Sequence, residues 1–92
     1  MTTAKTPTYL EVEGDTAAQT LQGTCETLDS GDEVTLDFSR VARIDPAAIR
    51  ELEALARAAG EKSAKITLRG VNVEVYKVLK LSRLAPRFSF EN

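Results

Sequence analysis

Three stretches of this chain alternate apolar and polar residues, and each is apolar on one side only. In Thr8–Glu13, Leu10 and Val12 share one side while Tyr9, Glu11 and Glu13 take the other. Val34, Leu36 and Phe38 alternate with Thr35 and Asp37, and Ile66 and Leu68 alternate with Lys65, Thr67 and Arg69. A period of two marks a strand with one buried face. Between these stretches the apolar period lengthens to that of a helix: Ala18, Leu21, Cys25 and Leu28; then Ile49, Leu52, Leu55, Ala56 and Ala59; then Val75, Val78 and Leu79. Phe88 and Phe90 suggest a short last strand. The order β-α-β-α-β-α-β implies parallel strands joined by helices. A parallel sheet covered on both faces has nearly continuous apolar strands. One-sided strands therefore place all the helices on one face and leave the other largely open. Right-handed crossovers that keep every helix on one face step each strand past the last in one direction, so the expected strand order is the sequence order. The fold class is α/β, a mostly parallel four-stranded sheet with helices on one face. The same pattern argues against a doubly wound nucleotide-binding sheet, whose helices sit on both faces.

The breaks between elements are also legible. Gly14 ends the first strand, and Asp15 is expected to cap the first helix; Asp29-Ser30-Gly31-Asp32 ends it. Ser39–Ile44 reads as a loop, and Asp45-Pro46 as a helix start, because Asp accepts from free backbone N–H groups and Pro has none to leave unpaired. Gly60 is expected to stop this second helix. Arg50, Glu51, Glu53 and Arg57 fall on its wet side. Gly70 turns the chain, Asn72 caps the third helix, and Ser82–Pro86 terminates it. With 92 residues and no linker, the expectation is a single domain over 1–92 with a flexible tail at 1–7.

The residues absent from the chain narrow its chemistry. It has no histidine, which removes the commonest general base and the commonest zinc ligand, and its one cysteine, Cys25, sits on an apolar helix stripe, as a packed core thiol would. Asp37 and Asp45 flank one loop, but the first reads as an outward strand residue and the second as a helix cap. The five glycines are isolated and form no phosphate cradle. No catalytic set, metal or cofactor is expected. Net charge is −2, with 5 basic and 11 acidic residues in 1–60 against 7 basic and 3 acidic in 61–92. The basic residues of that second segment are spread over a strand and a helix with no dense stripe interleaved with aromatics, so nucleic acid is not an expected partner. No signal-like or membrane-spanning apolar run is present, and the expectation is a cytoplasmic protein without membrane insertion.

The segment Leu36-Asp37-Phe38-Ser39-Arg40-Val41-Ala42-Arg43-Ile44-Asp45-Pro46-Ala47-Ala48-Ile49 resembles the central motif of STAS domains, the family of bacterial anti-sigma factor antagonists. That motif is a hydrophobic-Asp-hydrophobic-Ser strand end, a short loop with an apolar residue, and Asp-Ser-Ser-Gly-Leu opening a helix. Gly70-Val71-Asn72, followed by Val75, Val78-Leu79 and Leu84, is similar to the family's next landmark, and Gly14 fits the end of its first strand. The resemblance spans nearly the whole chain and implies a βα superhelix with helices on one face.

The same resemblance implies a regulatory, non-catalytic role in signalling and transcription regulation through protein–protein interaction. Its signalling members dock onto an anti-sigma factor, often a kinase-like ATPase, through the loop and the start of the second helix. Here those positions are Ser39, Arg40, Arg43, Asp45, Pro46, Ala47 and Arg50. Many members are switched by phosphorylation of the Ser after the motif Asp. This chain departs from the family at that place: Pro46 occupies the acceptor position, and Ala47 and Ala48 follow. With no hydroxyl there, the usual switch has no acceptor. The alternative partner is an ABC transporter ATPase, clamped as by the cytoplasmic STAS accessory subunit of a lipid-transporting complex, a role that needs no phosphate switch.

Overall fold

The computed structural model describes residues 8–91; the tail expected at 1–7 lies outside them. Strands β1 (Thr8–Glu11), β2 (Glu33–Asp37), β3 (Lys65–Arg69) and β4 (Ser89–Glu91) alternate with helices α1 (Ala17–Thr27), α2 (Pro46–Lys62) and α3 (Val73–Leu81). The strands form one sheet in the order β1-β2-β3-β4, every pair parallel. The register puts Leu10 beside Leu36, Leu36 beside Leu68 and Leu68 beside Phe90, so the inward residues form one apolar row across all four strands. Val34, Leu36, Ile66 and Leu68 join Leu21 of α1, Leu52 and Leu55 of α2 and Val75 and Leu79 of α3 in a single core. All three helices therefore cover one face. Tyr9, Thr35, Asp37, Thr67 and Arg69 stay half-buried or exposed on the other. One-sided alternation thus translated directly into a one-sided layer. Each fully buried leucine contributes about 1.5–3 kcal/mol to holding it.

Three local expectations are corrected. The first concerns α1, whose buried stripe is Ala17, Leu21 and Thr24, with Leu28 buried just beyond it; Ala18 and Cys25 sit half-buried at its margin. Thr24 enters the stripe because its hydroxyl donates to Thr20 O (2.9 Å), so its one polar group is satisfied inside the helix. The second is the cap: Asp15 lies within a 3-10 turn at Gly14–Thr16 that precedes α1, and no side chain caps α1 itself. The third is that α2 does not stop at Gly60 but runs to Lys62. Its end is made by Ser63 at φ 53°, with Ala64 N–H donating to Ala59 O (2.9 Å). The next end, that of α3, repeats the motif with Arg83 at φ 61°: Arg83 N–H donates to Lys80 O (3.1 Å) and Leu84 N–H to Leu79 O (2.8 Å). Glycine is the relaxed residue in this left-handed position; a side chain there costs about 1–2 kcal/mol.

Candidate functional site

The loop between β2 and α2 is fixed at both ends and in the middle. At its start, Asp37 Oδ1 accepts from Ser39 N–H (2.9 Å), and its other oxygen accepts from the Tyr9 hydroxyl of β1 (2.5 Å). The Ser39 hydroxyl, the Tyr9 hydroxyl and the Ser39 backbone N–H hold the Asp37 carboxyl down at about 2, against a small opposing desolvation. Donating to that carboxylate raises Tyr9 above the ordinary phenol range. In the middle, Val41 is buried and its N–H closes a turn on Phe38 O (2.9 Å). Asn72, at the head of α3, donates from Nδ2 to both Val41 O and Ala42 O (3.2 Å each), while its Oδ1 accepts from Val75 N–H (2.8 Å). One side chain thus caps α3 and clamps the loop to it. At the end of the loop, Asp45 Oδ1 accepts from Ala48 N–H (2.8 Å), with Pro46 in the first helical position, as the sequence predicts.

Gly70 makes a further close approach possible. It sits at φ +70°, and a Cβ there would lie 3.0 Å from Ser39 Cβ and 3.2 Å from Ser39 Cα. Only glycine fits both the left-handed backbone and the contact.

Ser39, Arg40, Arg43, Asp45, Pro46, Ala47 and Arg50 are all exposed. Arg40, Arg43 and Asp45 line one open cleft of about 560 Å³, which Glu13 and Asp15 from the connection after β1 also line. Ser39 is packed instead against Gly70, and Pro46, Ala47 and Arg50 lie on the first turns of α2, outside that cleft. Arg40 Nη1 reaches Glu13 Oε2 at 3.3 Å; with side chains 66% and 55% exposed, the pair contributes at most about 1 kcal/mol. These two acidic residues were absent from the sequence expectation, although the parallel pairing of β1 with β2 brings the two connections to the same sheet end. Among the described residues no group of His, Cys, Asp and Glu is placed to hold a metal, and no helix is long and apolar enough to cross a membrane.

An all-parallel sheet with helices on one face and a rigid polar loop leading into α2 is the framework of a βα superhelix. The chain belongs to the STAS domain family: residues 5–86 match the family described as Mlab, STAS domain. Solved structures share the fold at low identity. The SulP transporter STAS domain from Vibrio cholerae aligns with a TM-score of 0.74 at 17% identity, covering 99% of this chain and 77% of that one. A sulfate transporter family protein from Wolinella succinogenes gives 0.72 at 19%, covering 94% and 80%. A candidate anti-sigma factor antagonist from Thermotoga maritima gives 0.69 at 16%, covering 90% and 73%. No curated protein sequence matches the chain.

Proposed function

We propose that this STAS domain is a non-catalytic docking module of the anti-sigma factor antagonist kind, and that it binds a kinase-like ATPase through the β2–α2 loop and the first turn of α2. STAS domains generally mediate contacts between proteins. The observation that carries the reading is the construction of the α2 entry. Its backbone is held by Asp45, Asn72 and the buried Val41, while Arg40, Arg43 and Arg50 project outward from it. A surface already rigid before binding loses little entropy on docking. Arginines at its edge suit a partner carrying carboxylates, which they engage through paired N–H donors.

The same surface lacks the hydroxyl through which relatives of this kind are switched. Pro46, Ala47 and Ala48 offer no phosphate acceptor, and Pro46 also fixes the first turn. In this reading the module is permanently competent to bind, and its control lies in the partner or in its own abundance. A second reading is favoured by that same absence: a constitutive clamp on an ABC transporter ATPase needs no switch at all.

Calorimetric titration of the purified chain against each ATPase class tests both readings. Arg43→Glu should weaken binding about tenfold or more, because a reversed charge meets the same carboxylates, while the far-ultraviolet spectrum and unfolding midpoint stay unchanged. Unchanged affinity removes the loop from the interface. Phosphate incorporation at Ser39 in the presence of a cognate kinase overturns the unswitched account.

A further inference from the structure

A second cleft, of about 270 Å³, opens where the middle of α2 passes the end of α3. It is lined by three exposed arginines, Arg57 of α2 and Arg83 and Arg87 of the segment after α3, together with the half-buried Ser82. Glu53, one helical turn before Arg57, is the single carboxylate there. Among the described residues none of the three arginines forms an ion pair, although Glu53 shares the cleft. The cleft thus holds three positive charges against one negative one in a chain whose net charge is −2.

The backbone under these arginines is fixed. Leu84 is buried as the floor, its N–H tied to Leu79 O (2.8 Å), and Arg87 N–H is tied to Leu84 O (2.9 Å). Arg83 occupies the left-handed position that closes α3, at φ 61°. Ser63 closes α2 in the same conformation, so the turn itself has no need of an arginine. A glycine at 83 makes the turn without strain. Arg83 places a cation at this turn, where it lines the same cleft as Arg57 and Arg87.

We propose that Arg57, Arg83 and Arg87 form an anion site that takes a phosphate or diphosphate group, with Ser82 as a neutral donor. Guanidinium forks match phosphate oxygens in pairs. The cleft is open to solvent on one side, so a phosphate or diphosphate group can enter it without displacing the core. The group could belong to a free ligand or to a lipid headgroup. Arg57 lies seven residues beyond Arg50, about 10 Å along the same face of α2, whereas Arg83 and Arg87 lie on the segment after α3. The Arg83 and Arg87 variants therefore separate loss of anion binding from loss of ATPase binding at the α2 entry.

The test is a titration of the full chain with pyrophosphate at constant ionic strength, followed by backbone amide NMR. Saturable shifts centred on Ser82–Arg87 and Arg57 are expected, with Arg57→Gln and Arg87→Gln each weakening the affinity about tenfold or more. Arg83→Gly is the sharper variant: affinity should fall while the unfolding midpoint holds or rises, since the strain is relieved. A second arm compares sedimentation with vesicles of phosphatidylcholine alone and with added phosphatidic acid. Binding in either arm that is lost in the Arg57→Gln and Arg87→Gln variants supports the site, and the arm identifies the source. Shifts no larger than those from chloride, or spread evenly over Lys62, Lys65, Lys77 and Lys80, overturn it. So does an Arg83→Gly variant with undiminished affinity, or binding of RNA without any response to pyrophosphate.

Discussion

Replacing Asn72 separates the two tasks that this side chain performs. Its Oδ1 caps α3 by accepting from Val75 N–H at 2.8 Å, which fixes the orientation of the amide, and its two Nδ2 hydrogens then serve Val41 O and Ala42 O at 3.2 Å each. Asn72→Ala removes all three bonds. Loss of the cap costs about 1 kcal/mol. The two long bonds, one of them exposed, contribute about 0.5 kcal/mol each at the low end of the usual range. The expected total is therefore about 2 kcal/mol, or roughly 8–16 °C in midpoint for a domain of this size. Asn72→Asp keeps the cap acceptor but has no donor, and it turns a carboxylate toward two carbonyl oxygens. It should lose at least the share of the loop bonds, about 1 kcal/mol. It should also speed amide exchange at Ala42 and Arg43, while exchange in α3 remains slow. Urea unfolding of the three proteins, with hydrogen exchange read by residue, measures both. An Asn72→Asp protein as stable as the parent, with the loop exchanging no faster, refutes the claim that α3 holds the β2–α2 loop in place.

Other perturbations read separate parts of the same construction. Asp45→Ala removes the acceptor for Ala48 N–H and should cost about 0.5–2 kcal/mol in urea unfolding; no change means that another group caps α2. Gly70→Ala forces a Cβ to 3.0 Å from Ser39 at φ +70° and should cost about 1–3 kcal/mol, and Gly70→Asn, which tolerates the backbone angle, should not recover it because the contact remains; full recovery by Asn makes the angle the whole constraint. Asp37 is held at about 2, below the carboxylate range of an unfolded chain, so its stabilising contribution is complete above about pH 4 and disappears as pH falls through about 2. Carboxyl NMR should show that low midpoint, and Tyr9→Phe should raise it by deleting one donor; an ordinary midpoint in the parent contradicts the hydrogen-bonded arrangement. Leu52→Asp places an unpaired charge at a site with no solvent exposure and should unfold the domain, as circular dichroism will report; a folded variant with intact helicity contradicts the core assignment.

The sheet order and the placement of the helices were legible because period-two alternation reports which face of a strand is wet, and that single fact limits how parallel crossovers can run. The starts of α2 and α3 were legible for a local reason: Asp45 and Asn72 satisfy backbone donors within their own helices. Helix ends and exact stripes were less so. Thr24 counts as polar in sequence, yet its hydroxyl bonds within its own helix and the residue is buried, which displaced Cys25 to the margin. Gly60 meets nothing within 4 Å and simply continues α2, while the stop depends on Ser63 taking a left-handed backbone that no sequence rule assigns to serine. At the site, the exposed arginines and Asp45-Pro46 were readable from one contiguous segment. Glu13, Asp15 and the loop-binding half of Asn72 were not, because they reach it from neighbouring strands through the sheet register. Their signal was present only at the level of topology, in the pairing of β1 with β2 and β2 with β3.

The most direct measurement is an amide chemical-shift map of the labelled chain as an ATPase partner is added. If the α2 entry is the docking surface, the largest changes and the greatest slowing of exchange fall between Ser39 and Arg50. Changes concentrated instead on the open sheet face, at Tyr9, Thr35, Thr67 and Arg69, contradict the assignment of the α2 entry as the binding surface.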